Sequence, residues 1–541
     1  MLRSAGKYPD LVHLSRWIAG AIVAAAALFK LGLIGRGVFP FNSDEAIVAL
    51  MARHILQGEW PIFFYGQAYM GSLDASLVAL GFRLMGEQVI VIRLVQILLY
   101  TGTVFTTILL GWRIFENRLA GLVAGLVLAV PTTNFTLYTT VSLGGYGEAL
   151  LLGNLLLLMS IKITMGRAGL PWYFGLGMLA GVGFWAFGLT VIYSIPAIFL
   201  VLRNDARRPK RNRNINWLGI LAGMLLGLTP VIYWAISHGI GALLTELAGG
   251  AIAGTSGVSY PLQVLESFRN LLVFGSTVLF GLRPPWDVQP LFLPGLFLAL
   301  AFWLAAGIYG IRERKSRHTD TDGTWLLRSL TAISILGYIL TPFGGDPSGR
   351  YFLPLGVVLA LLAGSFWAGA SQPRSMYLRW LLLCGLIFFQ FGANLEVAGE
   401  GDPGFTTQFD NRTRIDHSLD DELIAFLESR EATRGYSTYW ISYPLAFQSR
   451  EELIFVPALP YHADLRFTER DNRYPLYSDL VEKAGRVAFI TAGQINLDRV
   501  LISFFREQHL QWSEGRIGPY HVFYDLDGNL DLAELKARWN P

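Results

Sequence analysis

A few side chains in this 541-residue chain have the type and setting to do chemistry. Asp44 and Glu45 are adjacent carboxylates. Such a pair could take a proton from an attacking hydroxyl, or could simply place favourable charge in the positively polarised first turn of a helix. Glu148 opens an apolar run, LGGYGEALLL. An ionisable residue at the end of a span is costly unless it is used, the plainer alternative being a charge that snorkels to the surface. Arg350 and Tyr351 enter a late apolar run. A planar, permanently charged guanidinium suits a phosphate, with the tyrosine adding a hydrogen bond, although an Arg-Tyr pair is also an ordinary interfacial anchor. Asp74 is either a functional acid or a surface charge. His54 lies ten residues after Asp44, within about 80° of the same helical face. With no cysteine or second histidine nearby, a metal site is unsupported, and His54 reads as an interfacial histidine.

These residues need a scaffold, and the composition says which kind. Charged residues make up 15%, hydrophobic ones 53%, and the mean hydropathy is +0.43, against about 25% charged in ordinary soluble domains. That excludes a disordered chain, a nucleic-acid binder and an ordinary cytosolic enzyme. Residues 1–396 hold 28 basic and 17 acidic side chains, whereas 397–541 hold 15 and 23. The division implies a transmembrane domain over 1–396 and a soluble domain over 397–541. Cys384 is the only cysteine, so the soluble domain must fold on its own apolar core.

About eleven spans are expected, near 17–35, 89–112, 119–137, 147–165, 171–187, 189–202, 216–236, 291–311, 325–342, 353–370 and 379–395. A tight hairpin is expected at Phe187-Gly188. Three basic groups fall on one side of such a topology: Arg3, Lys7 and Arg16; Arg203, Arg207, Arg208, Lys210, Arg211 and Arg213; and Arg312, Arg314, Lys315 and Arg317. The positive-inside rule makes that side cytoplasmic. The N-terminus is then cytoplasmic, the first span an uncleaved anchor, and the C-terminal domain extracytoplasmic, on an integral plasma (inner) membrane protein. A crossing at 268–282 would put the block at 312–317 outside, so that segment reads as an interfacial or re-entrant helix. Lys30 and Arg93 read as snorkelling, and Asp346 as a turn residue.

The first external loop, residues 40–86, is the most informative stretch. Asn42 or Ser43 can cap a helix beginning at Asp44, whose apolar residues suggest that it lies on the membrane surface. Trp60, Phe63, Phe64, Tyr65 and Tyr69 suggest an interfacial aromatic belt, and 73–85 a second amphipathic helix. This loop resembles that of the GT-C membrane glycosyltransferases, and is most similar to the bacterial protein O-mannosyltransferase and aminoarabinose-transferase branch (glycosyltransferase 39/83-like). The matching residues are Asp44-Glu45-Ala46, Gly58-Glu59-Trp60, Tyr65-Gly66, Tyr69 and Phe82-Arg83-Leu84-Met85-Gly86, with Glu148 and Arg350-Tyr351-Phe352-Leu353-Pro354 further on. Relatives carry Lys-Pro-Pro-Leu after the tyrosine-rich stretch, where this chain has Gly71-Ser72-Leu73-Asp74-Ala75.

The resemblance implies an α-helical polytopic membrane protein with juxtamembrane helices and a C-terminal soluble α/β domain. It implies transfer of a sugar from a polyprenyl-phosphate donor to a lipid, glycan or protein hydroxyl, on the extracytoplasmic face. By match to the family's first-loop acid, Asp44 is the base of an inverting single displacement. Glu45 and Glu148 are further catalytic candidates. Asp74, Tyr65, Tyr69, Arg350 and Tyr351 are candidates for binding substrate. No cofactor is demanded, although some members of the superfamily use a divalent cation and one would be compatible here. Membrane lipids are expected partners and nucleic acid is not. A transporter or lipid flippase and a non-catalytic envelope receptor are the rival readings.

In the tail, 397–418 reads as a linker and 419–430 as a helix. YSTYWIS, ELIFV, RVAFITA and YHVFYDL read as strands, with helices at 442–449 and 496–508. The aromatics Tyr436, Tyr439, Trp440, Tyr443, Tyr461, Tyr474 and Tyr477 could stack on sugars or fill a core.

Overall fold

The computed structural model describes residues 9–539 apart from 167, 208–212, 248–258, 317–320, 347, 370–372, 400, 402–403, 411–413 and 528–531. Arg3, Lys7, Arg208, Lys210, Arg211 and Arg317 of the basic groups lie outside the described residues, as do parts of the expected linker and of the long external loop. The chain forms two compact units. One comprises 1–38, 69–74 and 93–401; the other comprises 39–68, 75–92 and 402–541. Most of the first external loop therefore belongs to the same unit as the C-terminal tail.

The first unit is a helical body. Among the described residues, eight helices are long and apolar enough to cross a membrane, or nine with the bent pair Arg213–Gly227 and Thr229–His238, which meet at 56°. The two other expected spans are shorter apolar helices, Arg118–Ala129 and Leu170–Ala186. The former is followed by a separate short helix, Thr133–Tyr138, after Pro131 interrupts the run. A turn does break the chain at Phe187, whose extended backbone separates Leu170–Ala186 from the 3-10 turn Gly188–Thr190. Residues 260–279 are helical with a π turn at Leu271–Gly275.

Lipid-type helix packing, where apolar burial gives no advantage over lipid, favours small residues that let backbones touch. Helices Leu170–Ala186 and Arg213–Gly227 do this with glycines on both sides. A Cβ at Gly177 would lie 1.9 Å from the Ile220 carbonyl oxygen, and one at Gly223 would lie 2.0 Å from that of Phe174.

Two expected snorkelling residues are instead internal. Lys30 is fully buried, and its ammonium donates to Thr139 Oγ1 (2.8 Å), Thr140 Oγ1 (2.6 Å) and the Thr136 carbonyl (3.3 Å) while lying 4.2 Å from the centre of the Tyr100 ring. All three N–H donors are satisfied, which makes burial tolerable where an unpaired ammonium would not be. Arg93 is likewise buried.

The first external loop carries two short strands, β1 Phe63–Phe64 and β2 Gln67–Gly71. In the second unit, five strands form the sheet of the tail, in the order β4-β3-β5-β7-β6: β3 Arg434–Thr438, β4 Ile454–Leu459, β5 Ala488–Ala492, β6 Gln511–Ile517 and β7 Tyr520–Asp527. β3 pairs in parallel with β4 and β5, while β7 runs antiparallel to β5 and β6. Leu423, Leu427, Phe455, Ile490 and Val522 fill the core between sheet and helices. Strand β3 ends at Thr438, and Tyr439–Gln448 is helical, so the expected strand YSTYWIS is half strand and half helix. Edge strand β6, QWSEGRI, was not expected. It is polar because only one side of it meets the core. The expected linker is partly packed, with Phe405 stacked on Phe39 at 4.8 Å.

Gly223→Leu is expected to destabilise the body by about 1–3 kcal/mol, since a side chain there must force two backbones apart. Thermal unfolding of the full-length protein in detergent measures this; wild-type stability would mean that the two helices do not approach through their glycines.

Candidate active site

Asp44 lies in helix Ser43–Leu56, capped by Asn42, whose side-chain oxygen accepts from the Glu45 amide at 3.1 Å. The helix is not a surface helix: twelve of its fourteen residues are buried. Its apolar residues pack within the second unit, and its polar ones are tied there by hydrogen bonds. Ser43 Oγ donates to the Tyr439 carbonyl at 2.5 Å. Arg53 donates to the Phe447 carbonyl (3.0 Å) and pairs with Glu87 (2.8 Å) and Glu451 (3.4 Å). Glu45 is fully buried, so it does not face water.

Asp44 itself stays half-buried. Tyr439 Oη donates to Asp44 Oδ1 at 2.5 Å, a charge-assisted bond that fixes the carboxylate's rotamer. The Arg473 guanidinium lies 5.6 Å from the centre of the Tyr439 ring and donates to the Gln67 side-chain oxygen at 2.7 and 2.9 Å. Gly66, at φ +69°, brings the loop backbone against Arg473, where a Cβ would stand 3.0 Å from Cδ. Asp471 is buried beside this group. Burial pushes its carboxyl up to about 7, with Arg473 pulling it down and Asp44 pushing it further up. Burial, followed by the charge of Asp44, also raises the Tyr439 phenol, which keeps it a donor. Trp440 and Tyr461, 5.9 Å apart, remain half-buried next to Tyr439.

Tyr65 belongs to a different network. His54 is buried rather than interfacial, with Nδ1 2.8 Å from Tyr65 Oη and Nε2 3.0 Å from Glu451 Oε1. Tyr477 donates to the same Glu451 oxygen at 2.7 Å, and Tyr65 stacks on Tyr474 at 4.6 Å. Burial works against the Glu451 charge, but the hydrogen bonds from His54 and Tyr477 outweigh it and hold the carboxyl below its usual range. Of the expected aromatic belt, Phe63 and Phe64 are buried and only Trp60 is strongly exposed, at 75%.

The first unit gathers the other candidates. Asp74 is buried at the start of helix Leu73–Met85, so it is not a surface charge. It accepts from Ser142 Oγ (2.5 Å) and Gln96 Nε2 (2.8 Å). Burial raises its carboxyl above the usual range against the pull of these bonds. Glu148 is also buried and lies within hydrogen-bonding reach of Asp74. Its oxygens accept no N–H or O–H among the described residues, so a proton shared with Asp74 is the contact open to it. Arg350 pairs with Asp346 at 2.5 Å and lies 5.2 Å from the centre of the Tyr351 ring. Tyr69, Tyr138 and Tyr146 stand close enough to interact electrostatically with Tyr351 or Arg350. Arg350 Nε has no hydrogen-bond partner among the described residues. Asp346 is thus more than a turn residue, although its Oδ1 does accept from the Ser348 amide at 2.8 Å.

Sequence reasoning missed Tyr439, Arg473, Asp471, Asp346, Ser142 and Gln96 as site residues. The tail aromatics had been noted only as a group, and nothing in their local sequence marks Tyr439 as the partner of a residue almost four hundred positions away. Among the described residues, no three His, Cys, Asp or Glu side chains converge on a metal-sized site.

Residues 73–234 match the family model of dolichyl-phosphate-mannose-protein mannosyltransferase. The fold is similar to that of ArnT from Cupriavidus metallidurans, crystallised with undecaprenyl phosphate, at TM-score 0.61 and 13% identity over 94% of this chain and 98% of that one. The apo form of the same protein gives 0.60 and 12%, over 95% and 98%. An oligosaccharyltransferase from Archaeoglobus fulgidus in its apo form gives 0.49 and 12%, over 90% and 70%. Comparison with curated proteins finds no match. The chain has an ArnT-like fold, in keeping with the resemblance that its first loop carries.

Because Asp471 titrates near 7 in the fold and near 4 when unfolded, the folded state holds the extra proton between those values. Its contribution to stability is fully present below about 4 and lost as pH rises through about 7. Asp471→Asn should therefore flatten the decline in thermal stability between about pH 4 and 7. An unchanged pH profile in the variant would contradict the burial of this acid.

Proposed function

With a GT-C fold as the premise, we propose that this protein transfers a sugar from a polyprenyl-phosphate donor to a hydroxyl acceptor on the extracytoplasmic face of the membrane. The observation that carries the reading is the likeness, over nearly the whole of both chains, to a protein crystallised with undecaprenyl phosphate. The mannosyltransferase family match over 73–234 supports it from sequence.

In this reading Asp44 accepts the proton of the acceptor hydroxyl while its oxygen attacks the anomeric carbon. The bond from that carbon to the phosphate oxygen breaks, and the configuration inverts. The lipid phosphate leaves as an anion, so the reaction needs a cation more than a strong general acid. Tyr439 holds Asp44 in one rotamer, which serves proton transfer in a fixed geometry. Glu45 supports that position from the buried side of the helix. Arg350, tied by Asp346 and flanked by Tyr351, with Tyr69 near that tyrosine, receives the phosphate through the Nε that has no partner among the described residues. Asp74 and Glu148, a buried acid pair with Ser142 and Gln96, bind the donor sugar's polar groups. Trp440 and Tyr461 offer half-exposed rings on which an acceptor or sugar can stack. The acceptor is a lipid, a cell-envelope glycan or a protein hydroxyl.

Purified full-length protein in lipid should release sugar from one member of a panel of polyprenyl-phosphate sugars, and Asp44→Asn should abolish this. Tyr439→Phe should keep donor binding and lower turnover about 3- to 10-fold, the value of one hydrogen bond to the base. Turnover retained in Asp44→Asn would remove Asp44 from the chemistry. Absence of both turnover and donor binding would overturn the glycosyltransferase reading.

A further inference from the structure

A cavity of about 870 Å³ opens in the helical body away from every residue assigned a role above. Arg16, Arg113 and Arg118 line it, together with Glu116 and Asp322, all at the end that the lysine and arginine distribution assigns to the cytoplasm. Arg16 and Arg113 are exposed and form no ion pair among the described residues. Arg118 is held in place, donating to Ser15 Oγ at 2.6 Å with its guanidinium 5.5 Å from the centre of the Trp112 ring. One of the two carboxylates is already engaged, since Asp322 Oδ2 accepts from Asn204 at 2.7 Å.

Two helices also begin at this cavity. Arg118–Ala129 is capped by Asn117 and Asp322–Leu340 by Thr321. Their first turns add partial positive charge to that of the guanidinium groups. Leu109, Ile161 and Met165 add apolar lining to the same cavity. Two guanidinium groups without an ion pair among the described residues, in a cavity that also has apolar lining at the end of a membrane body, suit a phosphodiester monoanion with a hydrocarbon tail better than they suit a free ion.

We propose that this cavity binds the phosphate of an anionic glycerophospholipid, with Arg16 and Arg113 contacting the phosphate and the first acyl carbons lying on Leu109, Ile161 and Met165. The site is separate from sugar transfer and does not depend on that reading. Native mass spectrometry of the full-length protein, released from detergent with phosphatidylglycerol or phosphatidylcholine added, tests it directly. Wild type should retain one phosphatidylglycerol at concentrations about tenfold below those needed for phosphatidylcholine. Arg16→Gln with Arg113→Gln should abolish that preference while leaving the thermal unfolding temperature in phosphatidylcholine unchanged. Equal retention of the two lipids, or an undiminished preference in the double variant, would overturn the proposal. So would displacement of phosphatidylglycerol by millimolar inorganic phosphate, which would assign the site to the free ion.

Discussion

A helix buried on nearly every side must have all its polar groups answered by protein, and the helix Ser43–Leu56 sets that constraint for the second unit. Its answers come from the tail: the Tyr439 carbonyl and hydroxyl for Ser43 and Asp44, the Phe447 carbonyl for Arg53, and Glu451 for Arg53 and His54. Leaving one such group unpaired would cost about 1–3 kcal/mol, more for a charge. Most of the loop therefore forms one compact unit with the tail. The half-buried Asp44 stands out because most of the residues around it on the helix are closed off from solvent.

The helical body solves a similar problem with charges that lipid could not solvate. Lys30 spends its three donors on three threonine oxygens. Arg350 is balanced by Asp346 but keeps one N–H uncommitted. Asp74 is supplied with donors, whereas Glu148, beside it, has none among the other described residues. Full satisfaction marks Lys30 as structural. Partial satisfaction marks Arg350 and Glu148 as groups whose remaining capacity suits a ligand, since leaving it unused is costly in a buried setting.

The membrane class, the tail's strands β4, β5 and β7 and the ArnT-like fold were legible because each rests on a local signal: apolar runs, alternation, or an acid pair at a fixed place after the first span. Burial was not legible in the first loop. An amphipathic pattern there reads the same whether the apolar face meets lipid or protein, so sequence alone puts the helix of Asp44 and the ring of Tyr65 on the membrane surface. Lys30 was misplaced for a related reason: snorkelling and internal pairing require the same residue near a span end, and only the positions of Thr136, Thr139 and Thr140 distinguish them. Strand β6 escaped because an edge strand with polar residues on its open side carries almost no hydrophobic alternation.

The partners of the candidate base show why site residues are harder to read than folds. Tyr439 sits where a strand turns into a helix, in a run of aromatics in which any ring could have been core, and Tyr443 four residues on is indeed buried. Its distinction lies only in the carboxylate it meets. The proposed reaction, whose leaving group is already a phosphate, makes few demands on side-chain identity: one base, one cation and enclosure. Such a site needs no dense motif, and the residues that tune it can come from anywhere the fold brings a phenol or a guanidinium near Asp44. Arg473 and Asp471 reach that neighbourhood from a loop without a recognisable signature, so their relation to the base is a property of packing rather than of sequence pattern.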